Sequence, residues 1–411
     1  MTEFFRRWAG DSQLAIGLIL LTLFGVAMIY SAGELNDPSP VVEGAWLRQL
    51  VWFVIAIAGF SAVRTVKPRW LEWVAVPGYV LAIVLLAATL VVGTGFGAAA
   101  GVKSFLQVGP LRFQPAEVAK IATILALARL LGSTESATRS LRDIVAPAAL
   151  VALPLGLVVL QPDLGSALAF VGILFATLFW AGTPVWMLAL LASPGLGLIL
   201  TFDTRLWSVY MIAAVGLLYA LRFRLYLVES VAVVLANLAA GTIALPLWSS
   251  LADYQKNRIL VFLDPSVDPR GAGYQLIQSK VAIGSGGVFG KGYTLGSQKR
   301  LDFLPEQHTD FIFSVIGEEL GFVGTMFALL AFAFVLHRLV RMAEDAPDPF
   351  AGLVIFGIFG TWLVHIFVNV GMTVGVVPIT GIPLPFVSYG GSFLLMSWLA
   401  AGVATTAMEE D

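Results

Sequence analysis

The sequence predicts an all-α polytopic membrane protein, and three observations carry that reading. Charged residues make up 12% of the 411, against about 25% in soluble domains. Mean hydropathy is +0.89. The chain also holds many separate apolar runs near the ~20 residues needed to cross hydrocarbon, where only helices satisfy their own backbone. Residues 1–411 read as a single integral membrane domain. Cys is absent, which excludes disulfide and thiolate chemistry.

After a basic tip (Arg6, Arg7), apolar runs fall at Ser12 to Ser31, Trp46 to Val63, Trp70 to Gly93, Glu117 to Gly132, Ile144 to Gln161 and Leu164 to Gly182. They continue at Val185 to Thr201, Leu206 to Leu221, Leu225 to Trp248, Phe311 to Val340, Phe350 to Val376 and Phe386 to Met408, about twelve spans in all. The first run is long enough to span and no small-residue cleavage site follows it, so it reads as a span rather than a signal peptide. Alternate connections carry Arg6/Arg7, Arg64/Lys67/Arg69, Arg139/Arg142, Arg222/Arg224 and Arg338/Arg341, whereas Ala32 to Ala45 has acids and no base. The positive-inside rule then puts both termini in the cytoplasm. The connections Thr94 to Ala116, Asp253 to Asp310 and Pro378 to Pro385 fall outside.

The largest of these, residues 250–310, is the long polar excursion of the chain. The stretch Asp253 to Gly324 holds seven of the 24 Lys and Arg residues: Lys256, Arg258, Arg270, Lys280, Lys291, Lys299 and Arg300. Its Gly-dense part (Gly284 to Gly296) allows tight turns or close approach to a ligand. It is not a P-loop, because Ser285 and Gly292 stand where that motif needs Gly and Ser/Thr. Gly271 to Ile283 fits a short amphipathic or re-entrant helix.

Ionisable groups in or beside spans are costly and each needs a reason. Arg48, Glu117, Lys120, Asp163 and Asp310 all fall on the outer half, where mixed charges can bind an anionic head group or a cation. Each also has a plainer explanation. Arg48 can snorkel. Glu117 and Lys120, three residues apart on one helical face, can pair structurally. Asp163 and Asp310 can cap helices. Glu318 and Glu319 read as packing residues two turns into the helix that Asp310 opens, and His365 as a satisfied core histidine. With His308 the sole histidine of the outer loop, a His-rich zinc site is excluded.

Along the chain, QPAEVAK, QPDLGSA, GAGYQLIQSKVAIGSGG, HTDFIFSVIGEELGFVG and PITGIPLPFVSYGGS together resemble the SEDS family of bacterial peptidoglycan glycosyltransferases. NVGM and GIPLP resemble its elongation-type RodA branch more than the division-type FtsW branch. The resemblance implies ten core spans, so residues 202–249 are read as an additional helix pair. It also implies polymerisation of lipid II outside the bacterial cytoplasmic membrane, in contact with membrane lipids, alongside a class B penicillin-binding protein. No nucleic acid is expected.

The aspartate of the HTDF motif, here Asp310, is implied as the essential catalytic residue. Positions matching Arg48, Glu117, Lys120 and Asp163 are implied to line a polar cavity near lipid phosphate or a divalent cation, and His308 is expected at the substrate. On this reading Asp310 is the general base, Arg48 and Lys120 hold diphosphate, and Glu117 and Asp163 either hold Mg²⁺ or Mn²⁺ or orient the bases. No organic cofactor is expected. A lipid II carrier and a scaffold for the penicillin-binding protein are the rival classes.

Overall fold

The computed structural model describes residues 8–35, 42–95, 104–109, 111–133, 140–221, 226–268, 271–300 and 306–409. Arg6, Arg7, Arg139, Arg222, Arg224 and Arg270, on which part of the sidedness and loop reading rests, lie outside them. Helix α1 (Ser12–Gly33) starts where the Asp11 carboxylate accepts from Leu14 N at 2.7 Å. Helix α2 is Ala45–Arg64, and α3 (Pro68–Val92) opens on a proline, whose missing N–H costs nothing in a first turn. A two-stranded antiparallel ribbon, β1 (Leu106–Val108) and β2 (Leu111–Phe113), leads into α4 (Pro115–Gly132). Helix α5 (Leu141–Leu160) begins at a capping box of Ser140 and Asp143.

Helices α6 (Leu164–Trp180), α7 (Val185–Leu200), α8 (Thr204–Ala220) and α9 (Leu227–Ser250) follow. The segment expected as the outer loop is itself helical in part, with α10 (Asp253–Leu263), α11 (Ala272–Ser285) and the short α12 (Ser297–Arg300). The short helix expected over Gly271 to Ile283, amphipathic or re-entrant, is present as α11. Three further helices close the chain: α13 (Ile312–Glu344), α14 (Pro349–Val374) and α15 (Gly391–Ala407).

Seven of these helices are long and apolar enough to cross a membrane, and α6, α7, α8 and α15 are shorter apolar ones. With α4, which carries Glu117 and Lys120, they match the twelve expected runs. The protein is multi-pass. Helix α14 is the hub, packed against α4, α6, α13 and α15. Of its apolar window 72% is buried, against 17% for α9. Helices α8 and α9 sit at the periphery on α7, where Tyr210 Oη donates to Asn237 Oδ1 (2.6 Å) and Asn237 Nδ2 to Ser193 Oγ (2.9 Å). This is the pair read from sequence as additional.

Two expected runs are shaped differently. Phe311 to Val340 is not one straight span: α13 is broken at Gly321, whose φ of +64° and ψ of −160° belong to no helix. Residues 312–320 thus form a separate short helix ahead of the long one. The run from Phe386 becomes helical only at Gly391. Phe386 has a φ of +65°, and Tyr389 and Gly390 spend their backbone N–H groups on His308 O and Gln49 Oε1, at 2.9 and 3.2 Å, rather than on a helix.

The Gly-dense segment makes the tight turns expected of it, with positive φ at Gly287, Gly290 and Gly292. Its main chain lies directly on the short helix: Lys291 N and Gly292 N donate to Glu318 O and Glu319 O, both at 3.0 Å. A Cβ added at Gly286 or Gly290 would stand 2.0 Å from Gly317 O or Glu319 O. The glycines serve backbone-on-backbone contact, which no larger residue permits.

Candidate active site

Asp310 lies in the turn just before α13, partly buried. It does not cap the helix, as the sequence left open. The N-cap is Phe311, and it makes no side-chain cap bond. The Asp310 carboxyl is pushed up from its ordinary 3.8 to about 7, chiefly by burial and then by the nearby Glu306 carboxylate, against the pull of Arg258. A Cβ at Gly381 would stand 3.2 Å from Asp310 Oδ2, so the loop between α14 and α15 passes directly beside the acid. That loop also accepts from Arg258, whose Nη1 is 3.4 Å from Thr380 O. Arg258 lies over the Tyr254 ring, 5.8 Å from its centroid. Sequence reading placed Arg258 in the polar loop but gave it no part in the site.

The Glu117–Lys120 pair is made. Lys120 Nζ is 2.8 Å from Glu117 Oε1, both side chains are buried, and Pro115 starts the helix that sets them one turn apart. Lys120 Nζ also lies 2.9 Å from His365 Nε2 on α14, while His365 Nδ1 faces Pro383 O at 3.2 Å. His365 is buried, as expected of a core histidine, but it belongs to the charged cluster. Its lone place on an apolar run gave no hint of Lys120. The ring stacks on Phe393 with centroids 5.2 Å apart. Glu117, Lys120, His365, Trp362, Phe393 and Ser397 line a cavity between α4, α14 and α15.

Asp163 is the N-cap of α6. Its Oδ1 accepts from Ser166 N (3.0 Å), and its Oδ2 accepts from Ser166 Oγ and Gln114 Nε2 (both 2.8 Å). Arg48, in the first turn of α2, is exposed and donates from Nε to Tyr389 Oη at 3.2 Å. The Tyr389 ring stands 5.5 Å from the His308 ring, which is buried. Four expected residues therefore reach the α14–α15 loop or its neighbours by separate routes: Arg48 and His308 through Tyr389, Lys120 through His365, and Asp310 beside Gly381. Asp163 joins through Gly165, which packs on Ile382 and Thr380 O.

Glu117 and Asp163, the expected ligand pair for Mg²⁺ or Mn²⁺, are each already engaged by protein donors. Glu117 Oε1 is held by Lys120 and both Asp163 oxygens by protein donors. Among the described residues no three His, Asp or Glu side chains surround a common point.

Glu318 and Glu319 are structural, as the sequence suggested. Glu318 Oε1 accepts from Lys291 Nζ (2.7 Å), Ser297 N (2.8 Å) and Gln298 N (2.9 Å), and Glu319 Oε2 accepts from Ser31 Oγ (2.5 Å).

A helical bundle with several apolar spans and a buried cluster of ionisable side chains defines a class: polytopic membrane proteins with a polar interior site. The chain belongs to the FtsW/RodA/SpoVE family, described as "Cell cycle protein", which it matches over residues 12–218 and 206–411. It is 34% identical to the peptidoglycan glycosyltransferase RodA of Treponema pallidum over 96% of each chain. It is 35% identical to the peptidoglycan glycosyltransferase MrdB of Escherichia coli K12, over 94% of this chain and 90% of that one. Among solved structures it resembles the rod shape determining protein RodA of Thermus thermophilus (TM-score 0.63, 27% identity, 98% of both chains). It also resembles a chain from a peptidoglycan synthase complex that coordinates polymerization and crosslinking (TM-score 0.69, 28% identity, 96% of both).

Proposed function

We propose that this chain is a peptidoglycan glycosyltransferase that polymerises lipid II at the outer face of the bacterial cytoplasmic membrane, with both termini in the cytoplasm. The observation that carries the chemistry is Asp310: a carboxyl that caps no helix, lies against the α14–α15 loop and titrates near neutrality, where a general base works best. Asp310 takes the proton of the acceptor GlcNAc 4-hydroxyl. The oxygen then attacks the donor MurNAc anomeric carbon with inversion, and the bond to the undecaprenyl diphosphate breaks. The diphosphate leaves without being protonated, so one carboxylate suffices, unlike the pair needed for an alkoxide leaving group.

Arg48 is assigned to the diphosphate as a forked donor and Lys120 as a point charge. Glu117 orients Lys120 in its buried setting. Arg258 is added to the anion-binding set because it sits within electrostatic reach of Asp310 on the loop side. Asp163 holds α6 and Gln114 in place, and His308 packs under Tyr389 at the acceptor side. Mg²⁺ or Mn²⁺ would supply positive charge to the lipid diphosphate, with Glu117 and Asp163 kept in their structural bonds. The partner is a class B penicillin-binding protein, in line with the synthase complex among the structural relatives, and the RodA-type motifs favour cell elongation.

The test is polymerisation of purified lipid II in detergent by wild type and Asp310→Asn, each with and without the cognate penicillin-binding protein blocked by a β-lactam. Wild type is expected to make long glycan and the variant none. Head-group translocation without polymer, in proteoliposomes, would instead make the chain a carrier.

A further inference from the structure

Two buried side chains that the proposed chemistry leaves unused, Ser388 and Asn369, converge with the Tyr389 main chain on the backbone around Asp310. Tyr389 N donates to His308 O at 2.9 Å, Ser388 Oγ to Thr309 O at 2.6 Å, and Asn369 Nδ2 to Asp310 O at 2.9 Å. Three consecutive carbonyls each receive a donor from outside their own segment. They need one because α13 begins only at Ile312, so these carbonyls lie ahead of the helical ladder.

The donors are themselves fixed. Ser388 is 1% exposed and Asn369 0%. Ser388 Oγ accepts from Leu384 N at 2.8 Å, and the other Asn369 amide bond goes to Ile382 O at 2.7 Å. Gln49 of α2 grips the same loop, donating to Ser388 O and accepting from Gly390 N, both at 3.2 Å. Asn369 lies one helical turn beyond His365 on α14, so one helix face holds the base and reaches the Lys120 cluster.

We propose that Asn369 and Ser388 are positioning residues that hold the main chain at Thr309 and Asp310 so that the Asp310 carboxylate faces the acceptor hydroxyl. This rests on Asp310 being the base. Their bonds to this segment are made to the carbonyl oxygens of Thr309 and Asp310, so they fix where the carboxylate sits without touching it. A displacement of the base by about 1 Å is enough to cost 10²-fold in rate.

The experiment uses the full chain with its penicillin-binding protein partner in detergent and follows lipid II polymerisation from acid to alkaline pH. Ser388→Ala and Asn369→Leu are expected to lower kcat by about 10- to 100-fold while KM for lipid II stays within about threefold. The acidic limb of the rate should move to lower pH as the loosened carboxyl gains water, and Ser388→Thr, which keeps the hydroxyl, should restore both. The control is Asn237→Leu, which removes a buried bond of the same kind between α9 and α7 and should lower Tm without moving the limb. Wild-type kcat in both variants, or a loss of rate that tracks loss of folded protein with the limb unmoved, overturns the proposal. If Asp310→Asn is dead while Ser388→Ala and Asn369→Leu behave as wild type, only the positioning role fails. If Asp310→Asn polymerises lipid II, the base assignment fails and the positioning role with it.

Discussion

Replacing Asp310 by Asn should kill activity and stabilise the protein, and the two effects together identify a buried base. The carboxyl is raised from 3.8 to about 7 in the fold. A raised acid is favourable to folding only while protonated. Its contribution is complete below the unfolded value of 3.8 and is lost as pH rises through 7. Above 7 the fold therefore carries a penalty set by the difference, 7 − 3.8 = 3.2 units. At 1.36 kcal/mol per unit that is a ceiling of about 4 kcal/mol, and partial exposure reduces it to about 2 kcal/mol.

Asn carries no such charge. At pH 8 the variant should be more stable than wild type by about 2 kcal/mol, a rise in Tm of a few degrees. The gap should shrink steadily between pH 7 and pH 4. Paired thermal melts in detergent across that range, beside the polymerisation assay, measure it. An inactive variant whose Tm parallels wild type at every pH would refute the claim that burial sets the acidity of Asp310. An active variant would refute the chemistry.

Other outcomes follow from the same geometry. Lys120→Met should cost about 3–5 kcal/mol because Glu117 is left buried without its cation, and Lys120→Met combined with Glu117→Gln should regain most of that stability but no polymerisation; denaturation in detergent and the lipid II assay separate the two. Gly290→Ala should destabilise by about 1–3 kcal/mol or more, since its methyl would meet Glu319 O and its backbone has a φ of +78°; a Tm equal to wild type would show that the contact yields. Asp163→Asn should lower stability by about 0.5–2 kcal/mol through its capping role and leave the Mg²⁺ or Mn²⁺ concentration for half-maximal rate unchanged; a tenfold rise in that concentration would make Asp163 a metal ligand.

The bundle was legible because lipid forces one solution on the backbone, so apolar run length alone located the helices. Pairing of Glu117 with Lys120 was legible for a similar reason, since a spacing of three residues puts two side chains on one helical face. Sequence spacing cannot report contacts across the fold, however. Nothing near His365 in the chain announces Lys120, 245 positions away. Nor does anything in DYQKNRIL mark Arg258 as a neighbour of Asp310. The role proposed for Asp310 was available through its motif, but its failure to cap α13 was not, because an aspartate ahead of an apolar run is the usual sign of a cap. The break at Gly321 was hidden for the same kind of reason: a glycine inside a long apolar stretch is common in membrane helices and seldom announces a change of direction. The glycines at 286 and 290 were seen as a device for close approach, but what approaches is the chain's own backbone rather than a ligand.

A glycine break in a helix is often a hinge, but the one at Gly321 is an elbow set in a splint. On one side Lys291 N and Gly292 N hold Glu318 O and Glu319 O; on the other, Phe322 N and Val323 N hold Gly287 O and Val288 O at 2.9 and 3.1 Å. The same strip of loop spans the joint. Residues 312–320 therefore cannot swing against the long arm of α13 unless the 287–292 strip peels away with them. Any motion of the short helix that follows Asp310 must move loop and elbow as one piece, pivoting elsewhere.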